Sequence, residues 1–324
     1  MSPVPVNAYP RTWSEFLARF PSEEACLVYL EGLRWPQGFV CPRCGVMSIP
    51  SRASRGRLLC KDCGHQSTVT AGTIFDKTRT PLRVWLAGAW YLTNQKLGVS
   101  ALGLQRVLGL GGYQTAWTML HRFRRAMVRS DRERLSGLVE VDESYLAITD
   151  REAPISREGR KNNTDKVLIA IAVEMLQPRG FGRIRLQRID NDSDACVLPF
   201  ITTNIESGSE IRTDGSAAYR SLKSLGYEHQ RTVMLGSETP AHQSMAGVHR
   251  VASLVKRWIL GTHHGSVQPD HLDAYLDEFV FRFNRRTSGS RGLLFYRLLQ
   301  QAVVTDPVTY DNVVHPLPKL AKSR

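Results

Sequence analysis

The sequence predicts an α+β protein built from several units, and three observations support this. Two Cys-x-x-Cys pairs, Cys41/Cys44 and Cys60/Cys63, stand fifteen residues apart near the N-terminus. Beyond them, helix-spaced apolar residues run to about residue 135 around a glycine-rich turn. From residue 138 the pattern changes to short β-branched runs interleaved with helical stretches. The expected boundaries are 1–75 for two short helices and the cysteine pairs, 76–135 for a helical segment, 136–290 for a mixed α/β domain, and 291–324 for a C-terminal helix and tail.

Thr12-Trp-Ser-Glu15 has capping-box spacing, and Ser22 precedes a second helical run carrying Ala25, Leu27, Leu30 and Leu33. The cysteine pairs follow as Cys41-Pro-Arg-Cys44-Gly45 and Cys60-Lys-Asp-Cys63-Gly64. Two such knuckles set four thiolates around one structural zinc, each glycine allowing the tight turn after the second cysteine. A redox role would need a single pair on a βαβ unit. Cys26 and Cys196 sit among apolar residues and are expected in the core, and His65 is expected in a loop. Arg43, Arg52, Arg55, Arg57 and Lys61 give this ribbon a basic surface that can meet phosphates or simply remain solvated. Thr80-Pro81 marks a further helix start. Ser100 then caps a helix with Ala101, Leu104 and Leu108 on one face, Gly109 to Gly112 make a turn, and a second helix turns Trp117 and Leu120 inward. This is a helix-turn-helix pattern, in which Arg122, Arg124 and Arg125 would meet DNA.

In the mixed domain, strands are expected over Leu138 to Ile148, Lys166 to Leu176 and Arg183 to Ile189, with a basic loop at Arg157 to Lys161. A helix over Ser193 to Ile205 leads to a strand, Glu210 to Thr213, that ends in Asp214-Gly215. A helix over Ala217 to Leu225, a strand over His229 to Met234 and a helix from about Met245 to Leu260 complete the set. The order βββαβαβα is that of the RNase H fold, in which the first and fourth strands are neighbours. Asp142 on the first strand and Asp214 at the end of the fourth are then carboxylates gathered for a hard divalent cation. His249 and Lys256, seven residues apart on the last helix, share a face. Glu143 points to the opposite side of its strand and is expected to be structural, while Glu228 and Glu238 fall off the helix register. The helix His271 to Arg286 buries Leu272, Tyr275, Leu276, Phe279 and Phe283, and beyond about residue 304 the chain reads as a loose tail ending in Lys319 to Arg324.

Forty-three Lys plus Arg against 30 Asp plus Glu give a net charge of +13 and a pI near 9.7, which favours a polyanionic partner. A hydrophobic content of 42% excludes general disorder. No apolar run is long enough for a membrane span, and Met1-Ser-Pro-Val-Pro lacks the basic-then-apolar plan of a secretion signal. A cytoplasmic protein with reduced thiols is expected.

The chain resembles the DDE-type insertion-sequence transposases of the zinc-ribbon fifteen-ninety-five family, from about residue 12 to about residue 300. The matching stretches are the paired cysteines, Ala71-Gly-Thr-Ile-Phe, the Gly98-to-Arg125 segment, Val141-Asp-Glu-Ser-Tyr, Arg212-Thr-Asp-Gly-Ser-Ala-Ala-Tyr, Lys256-Arg, Gly261-Thr-His-His, and His271 through Arg286. The resemblance implies that Asp142 and Asp214 hold catalytic Mg²⁺ or Mn²⁺ and that Lys256, with Arg257 beside it, contacts double-stranded DNA. It implies cleavage at terminal inverted repeats, transfer of the freed 3′-hydroxyl to target DNA, a homodimer or larger synaptic complex, and a prokaryotic, nucleoid-associated setting. Arg250, Arg257, Arg282, Arg285 and Arg286 would hold the duplex. The chain departs from the pattern at His249, where many members carry Glu, and at Ala246, where Asn appears. Imidazole suits Mn²⁺ better than Mg²⁺ and can also accept a proton from water. A catalytically inactive, transposase-derived DNA-binding protein and a stand-alone RNase H-like nuclease or resolvase are the alternatives.

Overall fold

Residues 9–129, 131–149, 164–232 and 245–316 are described by the computed structural model. The chain divides into two compact units, Met1–Arg129 with Thr287–Arg324, and Ser130–Arg286. Among the described residues, no helix is long and apolar enough to cross a membrane.

In the first unit the hydroxyl caps act where the sequence places them. Thr12 accepts from Glu15 N and opens α1 (Trp13–Arg19), and Ser22 accepts from Ala25 N and opens α2 (Glu23–Arg34). Three short antiparallel strands, β1 (Ser51–Ala53), β2 (Arg57–Leu59) and β3 (Gln66–Thr68), form the ribbon around the cysteines. Helix α3 (Leu82–Asn94) begins after Pro81, and the Glu23 carboxylate accepts its first N–H groups, from Leu82 at 2.6 Å and Arg83 at 3.1 Å. That acid satisfies donors the helix cannot satisfy itself and sits favourably at the positive end of its dipole. Ser100 caps α4 (Ala101–Leu108), Gly109 ends it at φ +62°, and α5 (Tyr113–Ala126) follows. The helix Arg291–Ala302 returns to this unit, its Phe295 ring lying 5.5 Å from Trp90 and 6.0 Å from Phe16. The expected loose tail beyond residue 304 instead holds a helix, Tyr310–Val314, because Thr309 caps it and Val313 is buried.

The second unit is a five-stranded sheet covered on both faces. Strands β4 (Leu138–Thr149), β5 (Thr164–Met175) and β6 (Phe181–Arg188) run antiparallel; after α6 (Asp194–Asn204), strands β7 (Glu210–Thr213) and β8 (Glu228–Arg231) join in parallel. The spatial order β6-β5-β4-β7-β8 is that of an RNase H-like fold. Strand alternation sorts the core into two layers. Val139 and Val141 pack with Val197, Phe200 and Ile201 of α6, whereas Leu146 and Ile148 pack beneath α7 (Ala246–His263) and α8 (Leu272–Phe283). The segment expected as a helix over 217–225 is a short 3₁₀ helix, Ala217–Leu222. Its buried Tyr219 and Leu222 are three residues apart and so lie on one side of a three-residue turn. The expected loop Arg157 to Lys161, the end of the last strand at Val233 and Met234, Glu238, and Lys319 to Arg324 lie outside the described residues.

Where β5 pairs with the edge strand β6, the buried Glu174 carboxylate accepts from the Arg183 guanidinium and from the N–H groups of Arg183 and Ser136. Burial raises this carboxyl, but these bonds outweigh it and hold the group below its ordinary value. A depressed folded value means the stabilisation is complete above the unfolded value, about 4.3, and is lost as pH falls through the folded one. Urea unfolding followed across this acidic range should therefore show a shallower loss of stability in Glu174→Gln than in the wild type.

Candidate active site and cysteine centre

Each cysteine pair sits on a tight knuckle. Gly45 N donates to Cys41 O at 2.9 Å and Gly64 N to Cys60 O at 3.0 Å, with the two glycines at φ +72° and +70°. These turns aim four sulfurs at one point: Cys41 and Cys63 Sγ are 3.7 Å apart, Cys44 and Cys60 Sγ 3.8 Å, and all four lie within 4.8 Å of one another. A tetrahedron with Zn–S bonds near 2.3 Å has S···S edges of about 3.8 Å, so the donor set fits zinc without rearrangement. The surrounding basic residues differ in availability. Arg52 pairs with Glu31 at 2.7 Å and Arg57 bonds Ser54 and Gln66, while Arg43 and Lys61 are exposed.

In the second unit, strand register positions the acids. Strands β4 and β7 pair in parallel with Leu138 opposite Glu210, Val139 opposite Ile211 and Glu140 opposite Arg212. Two residues further along the same register stand Asp142 and Asp214, on the α7 side of the sheet by alternation. One oxygen of each is held by backbone, Asp142 by Glu143 N at 2.8 Å and Asp214 by Ser216 N at 2.9 Å. Burial pushes the Asp142 carboxyl up, the Glu143 N–H lowers it, the Asp214 charge raises it, His249 lowers it and Glu140 raises it, for a net increase. Asp142 is thus electrostatically coupled to both of the other candidate site residues.

Helix α7 reaches the site through a contact that sequence reading missed. Glu140, 1% exposed, accepts from Gly247 N at 2.7 Å and Val248 N at 3.2 Å, and lies 3.5 Å from the Arg212 guanidinium. A buried carboxylate therefore caps the helix that carries His249. The approach is so close that a Cβ on Gly247 would meet Glu140 Oε2 and Met175 Sδ, each at 2.8 Å. Two residues further on, the His249 side chain is half-buried, and its Nε2 is fully buried without a hydrogen-bond partner among the described residues. The signal for Glu140 was present: it lies two residues before Asp142 and so on the same strand face.

Among the described residues, only the four cysteines form a group of three or more candidate ligands with all donors within 4.8 Å. Asp142, Asp214 and His249 thus do not meet that spacing as a trio. Glu143, on the opposite face, accepts from Tyr219 Oη at 2.5 Å, and burial pushes its carboxyl up to about 7.

The basic residues expected at DNA divide sharply. Arg124 is 1% exposed, and Arg122 donates to the carbonyls of Ile74 and Asp76, so of the three arginines on α5 only Arg125 is exposed. Their four-residue span wraps around the helix, so they cannot form one outward strip. At the end of α8, Arg282 pairs with buried Glu278 at 2.9 Å, Arg285 donates to Phe281 O, and Arg286 donates to Phe283 O and to the carbonyls of Gly182 and Phe181. Guanidinium groups are drawn to the unsatisfied carbonyls at a helix C-terminus, which accounts for the Arg285 and Arg286 bonds, although Arg286 itself is exposed. Arg250, Lys256 and Arg257 on α7 are exposed.

Residues 134–284 match the model of the ISXO2-like transposase domain, and residues 21–66 match that of the transposase zinc-ribbon domain. The chain is 27% identical over 279 residues to an uncharacterized protein in transposable element ISH50 of Halobacterium salinarum, covering 81% of this chain and 91% of that protein. Among solved structures it is similar to the catalytic core domain of BIV integrase, at 18% identity and a TM-score of 0.31, over 48% of this chain and 89% of that one.

Two measurements address these sites. Chelation should release one zinc per chain and unfold the ribbon, and Cys41→Ser should abolish metal retention, both read by metal analysis and thermal melting. Glu140→Ala, which strands two helix N–H groups and Arg212, should cost about 2–4 kcal/mol in urea unfolding, and Glu140→Gln, which keeps an acceptor oxygen, should cost less.

Proposed function

Because the chain belongs to the zinc-ribbon transposases of the fifteen-ninety-five family, we propose that it binds the inverted-repeat ends of its element, cuts a phosphodiester there and joins the freed 3′-hydroxyl to target DNA. The observation that carries this reading is the β4–β7 register, which brings Asp142 and Asp214 to neighbouring positions on the face that α7 covers. Asp142, coupled to both Asp214 and His249, takes the shared position between them.

The two carboxylates, each with one oxygen steadied by a backbone N–H, suit hard divalent cations, and the imidazole adds a nitrogen that has no hydrogen-bond partner among the described residues. Magnesium or manganese bound there would neutralise the scissile phosphate and supply an activated water. Asp142 and Asp214, with His249 as a nitrogen donor, would hold the metal there. His249 serves as a neutral nitrogen ligand or takes the proton from the attacking water. Lys256 and Arg257, exposed further along α7, neutralise phosphates beside the cut, and Arg125 contributes on the first unit. Zinc in the four-cysteine centre is structural. Joining two element ends calls for at least a dimer.

A second reading, a DNA-binding protein whose active site is lost, is favoured by His249 and Ala246, the two departures from the family pattern. One assay separates them. Zinc-loaded protein is incubated with a terminal-repeat duplex in Mg²⁺ or Mn²⁺ and strand nicking is followed on gels. We expect nicking, stronger in Mn²⁺. Asp142→Asn and Asp214→Asn should each lower it by at least about a thousandfold, equivalent to about 4 kcal/mol of barrier, while leaving binding intact. His249→Glu should raise the Mg²⁺ rate. A folded, zinc-loaded protein that nicks in neither metal would establish the inactive reading.

A further inference from the structure

The hydrogen-bonded ladder between β4 and β7 stops short of the acids. It pairs Leu138 with Glu210, Val139 with Ile211 and Glu140 with Arg212, and neither Asp142 nor Asp214 belongs to it. Past Arg212, β7 continues its pairing with β8, Thr213 standing opposite Arg231. Backbone pairing therefore brings the two carboxylates near each other without fixing their separation, and two like charges repel.

A side-chain bond ties the two segments beyond that point. The chain leaves Asp214 through Gly215 and Ser216 and enters the short helix Ala217–Leu222. Asp214 accepts from Ser216 N at 2.9 Å, Ser216 Oγ accepts from Ala218 N at 3.3 Å, and Tyr219, the next residue, donates its hydroxyl to Glu143 at 2.5 Å. Glu143 is also the residue whose N–H holds Asp142, at 2.8 Å. Each acid is thus steadied locally by the segment that carries one end of the Tyr219–Glu143 pair.

Strand alternation sets Glu143 on the α6 side of the sheet, away from the metal-facing side of Asp142. Ala170, its register partner on β5, lies in the core layer of that side, and so does the buried Tyr219 ring, together with Val139, Val141 and Phe200. A ring packed in such a layer cannot swing, so its hydroxyl is a fixed point to which Glu143 is fastened. Turned away from the metal, Glu143 has no route to ligation; its bond instead fastens β4 just beyond Asp142 to the chain just beyond Asp214. Resting on the metal-dependent transposase reading, we propose that the Tyr219–Glu143 bond is a strut behind the sheet that sets the separation of Asp142 and Asp214, and with it the affinity of the site for its divalent cation. Both are positioning residues. Groups that orient metal ligands from behind typically change metal affinity about 10–100-fold when removed.

The test uses the full zinc-loaded chain and Mn²⁺ as the probe. Binding is followed by the electron paramagnetic resonance signal of free Mn²⁺, and Asp142→Asn identifies the share that belongs to this site. Tyr219→Phe, which removes one oxygen and keeps the ring, should weaken that binding about tenfold. It should raise the Mn²⁺ needed for half-maximal nicking by a similar factor, while the rate at saturating Mn²⁺ stays within about threefold. Glu143→Ala should behave alike, whereas Glu143→Gln, which keeps an acceptor for the hydroxyl, should hold affinity within about twofold of the wild type. The double variant Glu143→Ala with Tyr219→Phe should bind no more weakly than either single one, because both remove the same bond. A bond that only supports the fold would lower the melting temperature and leave Mn²⁺ affinity alone. Mn²⁺ affinity unchanged in Tyr219→Phe, or effects that add fully in the double variant, would overturn the strut while leaving the metal-dependent reading in place. Wild-type Mn²⁺ binding that Asp142→Asn does not alter would overturn both.

Discussion

The parallel pairing of β4 with β7 is the constraint on which the rest of the second unit depends. Because Leu138 stands opposite Glu210 and Glu140 opposite Arg212, residues with the same offset continue side by side past the end of the hydrogen-bonded run. A one-residue slip would turn the whole of β7 over, moving Asp214 to the α6 side and Ile211 out of its core layer. The register is therefore held by the hydrophobic layer that contains Val139, Val141 and Ile211. The acids come together as a by-product of that burial, which is the largest cause of the raised Asp142 carboxyl, the Asp214 charge adding to it.

Glu140 extends the same logic to the helix above. It lies on the acidic face of β4, yet its carboxylate is committed to the first N–H groups of α7 and to Arg212. Helix and sheet are thus joined by a polar contact set directly beside the apolar layer that includes Val248, Val251 and Val255. Apolar packing is tolerant of small rotations, whereas two N–H bonds to one oxygen are directional, so Glu140 fixes which α7 residues face Asp142. The absence of a Cβ at Gly247 is what lets this contact form.

Much of this was legible in the sequence because it rests on local rules. The Thr12, Ser22 and Ser100 caps, the Gly45 and Gly64 knuckles and the strand–helix order depend on neighbours a few residues away. What escaped depends on long-range geometry. Glu140 looked like one more acid in an acidic run until its helix partner, more than a hundred residues on, was in place. Arg122, Arg124, Arg285 and Arg286 looked like a basic surface because charge in a sequence carries no direction; folding turned them toward backbone carbonyls or the interior. The net charge of +13 thus favours a polyanionic partner without naming the residues that would touch it. The tail helix Tyr310–Val314 escaped because proline-rich flanking text outweighs a single Thr309 cap in any local reading.

The departure at position 249 follows a consistent electrostatic direction. Asp142 already sits in a field raised by Asp214 and Glu140, with burial as the largest contribution. A carboxylate at 249 would add a third like charge to that cluster and raise Asp142 further in the absence of compensating cations. A histidine keeps a donor atom at the same place on α7 without adding a like charge, and it lowers the Asp142 carboxyl. On the proposed reading, the site gives up affinity for hard cations and gains a less strained resting state. The two effects pull in opposite directions on turnover, so a histidine at this position is compatible with a working enzyme that prefers the softer of the two metals.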